Sequence, residues 1–576
     1  MMNKFSISVL ALVTGCLFLF AESNSVEYRK ASQYIDQMGE AFLKVYVDSK
    51  FDIEKLNSIV SIDEIKGYEI YVFANRVEFE DFLTLNLDYE TLIPPSLLGP
   101  APEMSDYSNP NDRQYDKYPT YDGYVNLMND FQKDYPDKVM LDTIGKSVQG
   151  RLLLVAKVSD NVREEECEPE WFMVGAPHGN ETMGIMLSIR MIDYLCTNYK
   201  RDPRATRILD SIEMYFCPIS NPDGTYKGGN HTVQGATRYN ANGKDMNRNY
   251  PKVPGAGTSE YPEPETKAFL TWIESHNIMM NIDWHAGVET AIYPYSGISR
   301  RTPDDKWWKY VCRIYADLTQ SNGPSGYYND CDNGICNGYA DLGYVARGTT
   351  KDYYYFYAHG RGISNEVTST KLLPESDIND YWEYNIDALL AYIPEALNGI
   401  RGTVVDEVTK VGLPAKVFVE NHDKVGDSSW VYADSSGGHG NYYRPIYEGT
   451  YTVTYSCPGC ESKTLDGIKV TNGKATIVDV ELDCGSTFLS DNYEKETTPF
   501  TVSFGRKGIT INYENLHEIK GVGLYNVNGK LLNVLPVQKS IHWKHLGNGT
   551  KVNSGCYIIR IETGKDIFTQ SFIVSH

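Results

Sequence analysis

Beyond residue 21 the chain has no apolar run approaching the roughly 20 residues that a membrane-spanning helix needs, so after its first residues it is expected to be soluble. Positive charge is also short. Against 76 Asp and Glu stand 54 Lys and Arg, a net charge of −22 spread along the chain rather than gathered in a tail. That balance argues against a nucleic-acid partner and suits a soluble protein. Cysteine is scarce, eleven residues in 576 with Cys16 inside the N-terminal apolar stretch, too few to scaffold a chain of this length. Neither Cys331/Cys336 nor Cys457/Cys460 has a second pair of metal ligands nearby, which argues against a zinc ribbon, and each pair is close enough in sequence to be a disulfide candidate. No solenoid-type repeat is visible.

What is present, 41% apolar residues over 576 positions, predicts a globular protein of two to five domains. Lys4, the apolar run Phe5 to Ala21 and the small residues Ala21 and Ser23 read as a cleavable secretory signal over residues 1–23. Val13-Thr14-Gly15-Cys16 resembles a lipoprotein cleavage box, but the apolar Leu-Phe-Leu-Phe after Cys16 argues against lipidation. Residues 24–110 read as a small α+β pro-region: a helical stretch from Val26 to Val45, a strand at Glu69 to Phe73, and a linker rich in proline and glycine. Across 111–398 helical and strand-like stretches alternate, the pattern of a mixed α/β sheet covered by helices. Two small all-β units follow, 399–484 and 500–576, separated by a polar linker at 485–499.

Only the α/β segment carries clustered chemistry. The strand-like run Trp171 to Gly175 leads into Ala176-Pro177-His178-Gly179-Asn180-Glu181 and then a helical pattern, so His178 and Glu181, three apart at a helix start, can face one atom. Two His and one Glu with an open position form a catalytic zinc set. His285 is the candidate third ligand because it ends the strand-like run Met279 to Trp284, and functional groups in open α/β sheets gather beyond the carboxyl ends of strands. In Ile363 to Thr368, alternation sets Ser364, Glu366 and Thr368 opposite the apolar Ile363 and Val367, so the Glu366 carboxylate can face a cavity.

Together with Tyr118-Pro-Thr-Tyr-Asp, Ile144-Gly-Lys-Ser-Val-Gln-Gly-Arg151, Asn221-Pro-Asp-Gly224 and Asp245-Met-Asn-Arg-Asn-Tyr-Pro251, these residues resemble the M14 metallocarboxypeptidases over roughly 118–396. The His178-Gly-Asn-Glu181 form resembles the carboxypeptidase N/E/D branch. The resemblance implies an eight-stranded type of mixed sheet, one Zn2+ per chain on His178, Glu181 and His285, and Asp245 orienting His178. It makes Glu366 the general base for zinc-water attack on the C-terminal peptide bond, and Arg238 the group that stabilises the oxyanion. It gives Asn247 and Arg248 the substrate's terminal carboxylate, and makes Tyr344 the residue that closes over the substrate.

Because Tyr344 and Asp352 keep that family's spacing, the resemblance implies that Lys351 forms the floor of the pocket for the departing side chain, where a cation attracts Glu or Asp. Gly399-Ile-Arg-Gly-Thr-Val-Val-Asp with Gly449-Thr-Tyr-Thr-Val-Thr resembles the transthyretin-like β-sandwich of that branch. The tail, with Val522-Gly-Leu-Tyr-Asn-Val-Asn-Gly529 and Cys556-Tyr-Ile-Ile-Arg-Ile561, resembles a type IX secretion sorting domain, which implies delivery through the outer-membrane machinery to the cell surface or beyond. A monomer acting on peptide C-termini is expected. The competing readings are a carboxypeptidase of peptidoglycan peptides, an aspartoacylase-type amidohydrolase and a non-catalytic peptide-binding module.

Overall fold

The computed structural model describes residues 25–109, 113–435, 438–484 and, between 500 and 574, the backbone of seven strands. The expected signal at 1–23 and the linker at 485–499 lie outside the described residues. The chain divides into two compact units, one holding 25–163 and 170–395, the other 164–169 and everything from 396 onward. Among the described residues no helix is long and apolar enough to cross a membrane.

The first unit begins with helices α1 (Val26–Met38), α2 (Lys50–Asn57) and α3 (Arg76–Leu83) and strands β1 (Ala41–Tyr46), β2 (Ser61–Lys66), β3 (Glu69–Ala74) and β4 (Tyr89–Leu92). The helical stretch expected from Val26 to Val45 stops at Met38. Gly39 takes a left-handed φ of 90° as the C-cap, and the chain turns into β1. The strands form an antiparallel sheet in the order β2-β3-β1-β4 whose apolar face packs Leu43, Val45, Ile62 and Val72 with Ile35, Phe79 and Phe82. In edge strand β2 the pairing jumps from Ile62↔Val72 to Glu64↔Tyr71, leaving Asp63 as the extra residue of a bulge, a device that re-aims a side chain.

The larger part of this unit is an eight-stranded mixed sheet built of β5 (Val139–Lys146), β6 (Leu152–Val158), β7 (Glu170–Val174), β8 (Glu213–Cys217), β9 (Ile278–His285), β10 (Glu289–Tyr293), β11 (Ile335–Asn337) and β12 (Arg361–Val367). Its order is β11-β10-β12-β9-β7-β8-β6-β5, and β12, β9, β7 and β8 run parallel. Buried on both faces, β7, β8 and β9 need helices on each side. Of α4 (Tyr121–Asp134), α5 (Met183–Asn198), α6 (Pro203–Leu209), α7 (Pro264–Ile273), α8 (Asp305–Asn322), α9 (Thr350–Phe356) and α10 (Ile378–Tyr392), α7 and α9 cover one face, setting Phe269, Trp272, Tyr353 and Tyr354 on Phe172, Val174 and Tyr215. On the other, Gly184 of α5 lies so close to Trp284 that an added Cβ would meet its Cβ at 2.1 Å, and Tyr392 closing α10 meets Trp171 edge-on.

In the second unit, 399–482 folds into two four-stranded sheets, and the strands between 500 and 574 into a three-stranded and a four-stranded antiparallel sheet. A disulfide joins Cys460 to Cys484. This corrects the expectation for Cys457/Cys460. The cross-link spans 24 residues and depends on where two strands return, which sequence proximity does not report. Cys331 and Cys336 are both thiols.

Candidate active site and metal centre

The carboxyl ends of β7, β9 and β12 open on one side of the sheet, and the loops there enclose a cavity of about 260 Å³. Its walls include His178, Glu181, Arg238, Asn247, Arg248, His285, Tyr344, Lys351 and Glu366, so nine of the ten expected site residues meet in one place. The tenth, Asp245, stands behind His178 with its Oδ1 at 3.1 Å from Nε2.

The loop after β7 carries the first two candidate ligands. Glu181 does not lie on α5, which starts at Met183. His178 and Glu181 share a turn closed by Glu181 N–H donating to His178 O at 3.1 Å. Gly179 lets this turn press on the next loop, where an added Cβ would meet Gly224 C at 2.2 Å. That second loop is Asn221-Pro-Asp-Gly224. Its Asp223 binds Arg151 at 2.7 Å and accepts the Ser147 hydroxyl at 2.7 Å, so these two motif blocks brace the ligand loop rather than line the cavity.

His178 Nδ1 lies 3.0 Å from Glu181 Oε2 and 3.1 Å from His285 Nδ1, and His285 Nδ1 lies 2.7 Å from Glu181 Oε2. Three donors converge while both Nε2 atoms point away to carboxylates, that of His285 to Asp283 Oδ2 at 2.8 Å. A carboxylate on Nε2 fixes the tautomer that leaves Nδ1 free as a ligand. Although burial disfavours charge, Glu181 and Asp283 push His285 up to about 10, and His178, Lys371 and His285 hold Glu181 well below the usual carboxylate range. The surroundings therefore favour positive charge between the three donors, and the set fits zinc.

Glu366 pairs with His285 across β9 and β12, and its Oε2 is buried without a hydrogen-bond partner among the described residues. Burial, aided by Glu181 and opposed by His285, pushes it up to about 7. Arg238 is buried, with Nε at 3.0 Å from Asp245 Oδ2 and Nη1 at 3.2 Å from His178 Nδ1. Asn247 accepts Thr350 N–H at 2.9 Å and sits beside Arg248 on a short 3₁₀ turn capped by Asp245.

Lys351 lies on α9. Thr349 caps that helix by accepting Asp352 N–H, a spacing visible in the sequence. Lys351 is 3% exposed and its Nζ donates to Ser364 Oγ at 3.3 Å. Burial lowers its pKa, against the opposing charges of Asp352 and Asp283.

Four contributors were missed in the sequence. Asp283 lies two residues before His285 on the same strand face, a signal that strand alternation could have yielded. Lys371 Nζ binds Glu181 Oε1 at 2.8 Å. Asp63 and Ser61 come from β2. Asp63 Oδ1 is 2.7 Å from Lys371 Nζ and 3.6 Å from Arg238 Nη1, and Ser61 Oγ donates to Asp245 Oδ2 at 2.7 Å while accepting Arg238 Nε–H at 2.8 Å. Tyr344 packs against the core of the N-terminal sheet.

A mixed α/β sheet with two imidazoles, one carboxylate and an unpaired glutamate at its carboxyl edge defines a metal-dependent hydrolase. Comparison with known proteins makes the class specific. Residues 124–388 match the family model of zinc carboxypeptidases, Peptidase_M14, and 399–483 match that of the carboxypeptidase regulatory-like domain. The carboxypeptidase N catalytic chain of Mus musculus is 31% identical over 411 residues, covering 64% of this chain and 86% of its own length. Carboxypeptidase SOL1 of Arabidopsis thaliana is 30% identical over 357 residues, covering 60% and 69% respectively. Among solved structures, carboxypeptidase A from Helicoverpa armigera matches 62% of this chain and 98% of its own at 19% identity and a TM-score of 0.48. The chain belongs to the M14 zinc carboxypeptidase family, with a regulatory-like domain after the catalytic one.

Proposed function

We propose that this zinc metallocarboxypeptidase releases single residues, preferentially Glu or Asp, from peptide C-termini, and that its N-terminal sheet holds it latent. The observation that carries the hydrolytic reading is the convergence of three donors with a glutamate whose buried oxygen is uncommitted. His178, Glu181 and His285 would hold the zinc. When bound, zinc supplies Lewis acidity and lowers the pKa of water. Glu366, near neutrality in pKa, takes the proton of the attacking water and returns it to the departing amine. Arg238 stabilises charge on the carbonyl oxygen. Asn247 and the Arg248 fork bind the terminal carboxylate, and Tyr344 covers it, which restricts the reaction to chain ends.

Acidic selectivity is supported by Lys351 in the cavity wall. A buried cation favours a carboxylate over a cation by on the order of 1–4 kcal/mol. Kinetics on peptides ending in Glu, Phe and Lys test it, with Lys351→Asp moving the preference toward Lys. A wild-type preference for Lys, or an unchanged ranking in the variant, rejects the assignment. Latency is supported by Asp63 and Ser61 occupying Lys371, Arg238 and Asp245. Export with both ends trimmed, near Ser23 and somewhere between Asp483 and Phe500, is read from the sequence, and mass spectrometry of the released protein tests it.

A further inference from the structure

Asp283 and Ser364 have no part in the reaction just described, yet they stand between its two most consequential features. Strands β9 and β12 are parallel, with Asp283 facing Ser364 and, two residues on, His285 facing Glu366. Asp283 Oδ2 receives two donors, His285 Nε2 at 2.8 Å and the Ser364 hydroxyl at 2.8 Å. A hydroxyl has one hydrogen, so Ser364 Oγ, already donating to Asp283, receives rather than gives at its 3.3 Å contact with Lys351 Nζ. The chain of hydrogen bonds thus has one direction, from Lys351 through Ser364 to the carboxylate that also holds the metal ligand.

Asp283 is fully buried, and its Oδ1 has no hydrogen-bond partner among the described residues. Burying a carboxylate with one oxygen unanswered is expensive, and a neutral amide could accept the same two hydrogen bonds. What the amide lacks is charge. Two neighbours call for it: the imidazole that must present Nδ1 to a cation, and an ammonium 3% exposed on the cavity floor. Asn247 Nδ2, 2.9 Å from His285 Nε2, is itself a donor and cannot fix this tautomer.

We propose that Asp283 is a positioning carboxylate shared by the metal centre and the specificity pocket: it orients His285 and, through Ser364, aims the Lys351 ammonium at the departing side chain. Metal retention and acidic selectivity then draw on one residue. The selectivity half rests on the acidic-residue reading above, and the metal half does not.

The test uses full-length wild type, Asp283→Asn, Asp283→Ser, Ser364→Ala and Lys351→Met. Each is read for zinc affinity by chelator competition, for the visible spectrum of the cobalt-loaded protein, and for kcat/KM on peptides ending in Glu and Phe. The two Asp283 variants should bind zinc about 10–100-fold more weakly, with a shifted cobalt spectrum, and lose most of the Glu-over-Phe ratio. Ser364→Ala and Lys351→Met should lower that ratio about tenfold or more with zinc affinity and spectrum intact. Wild-type zinc affinity in both Asp283 variants overturns the metal half. A ratio that falls in Lys351→Met but survives Ser364→Ala overturns the link through Ser364 while leaving acidic selectivity standing. A wild type that does not prefer Glu overturns both the acidic reading and the selectivity half, and the chelator titration decides the metal half alone.

Discussion

Asp63 Oδ1 lies 2.7 Å from Lys371 Nζ, and the same ammonium lies 2.8 Å from the candidate zinc ligand Glu181. A residue of the N-terminal sheet therefore shares a cation with the metal centre. Removing Asp63 leaves Lys371 paired with Glu181 and takes away the ionic tie between the sheet and the metal centre. Asp63→Ala in the full chain should loosen the sheet's hold and raise basal peptidase activity on the order of 10–100-fold, toward that of protein from which residues 25–92 have been cut away. Equal activity of wild type, Asp63→Ala and the cut protein would show that the sheet does not restrain the enzyme.

The hold of the N-terminal sheet should also weaken as pH rises. Glu40 is 1% exposed and accepts the backbone N–H of Arg238 at 2.9 Å. Burial, opposed by the Arg238 and Tyr239 N–H groups and the Arg238 charge, pushes it up from 4.5 to about 8, and Glu78 rises to about 7 for the same first cause. The docked state therefore keeps a proton that the separated chain gives up. The Glu40 contribution is complete below about 4.5, declines with rising pH and is gone above about 8. In protein nicked within 93–103, size-exclusion chromatography should find the N-terminal segment retained at acidic pH and released at mildly alkaline pH. The opposite trend would contradict this linkage.

His178→Ala and His285→Ala should each lose bound zinc, since either removes one of the three converging donors. Metal analysis of purified protein gives the answer directly, about one zinc per chain in wild type against little in the variants. Stoichiometric zinc in both variants, or full activity in metal-free wild type, would place the metal elsewhere.

Glu366→Gln keeps the size of the side chain and leaves the three donors untouched. Zinc content and thermal stability should stay near wild type while kcat falls by about 10²–10⁴-fold, the usual contribution of a general base. A near-normal kcat would assign proton transfer to another group.

The reacting residues were legible because each sits where a short-range rule puts it: His178 and Glu181 in one turn, His285 at a strand end, Glu366 on the polar side of an alternating strand. Asp63 was not, because the bulge between Ile62 and Glu64 turns its side chain by an insertion that alternation alone does not show. The Cys460–Cys484 pairing escaped for a related reason, being set by the return of distant strands. By contrast, Gly39 ending α1 and the Thr349/Asp352 cap of α9 were local signals in plain view. The expected helix ran through the first, whose left-handed backbone ends α1.

The facing pairs Asp283↔Ser364 and His285↔Glu366 give the active site a parity. On either strand the chemistry occupies alternate positions, with Trp284 and Asn365 between them on the other side. A single-residue insertion or deletion inside β9 or β12 would act as a frameshift does in a coding sequence: every later side chain would exchange faces, turning Trp284 or Asn365 to the cavity and a metal ligand or the base toward the core. Replacing one side chain alters one contact, whereas changing the length of either strand inverts the site, so divergence within these strands is expected to proceed by substitution and to leave changes of length to the loops.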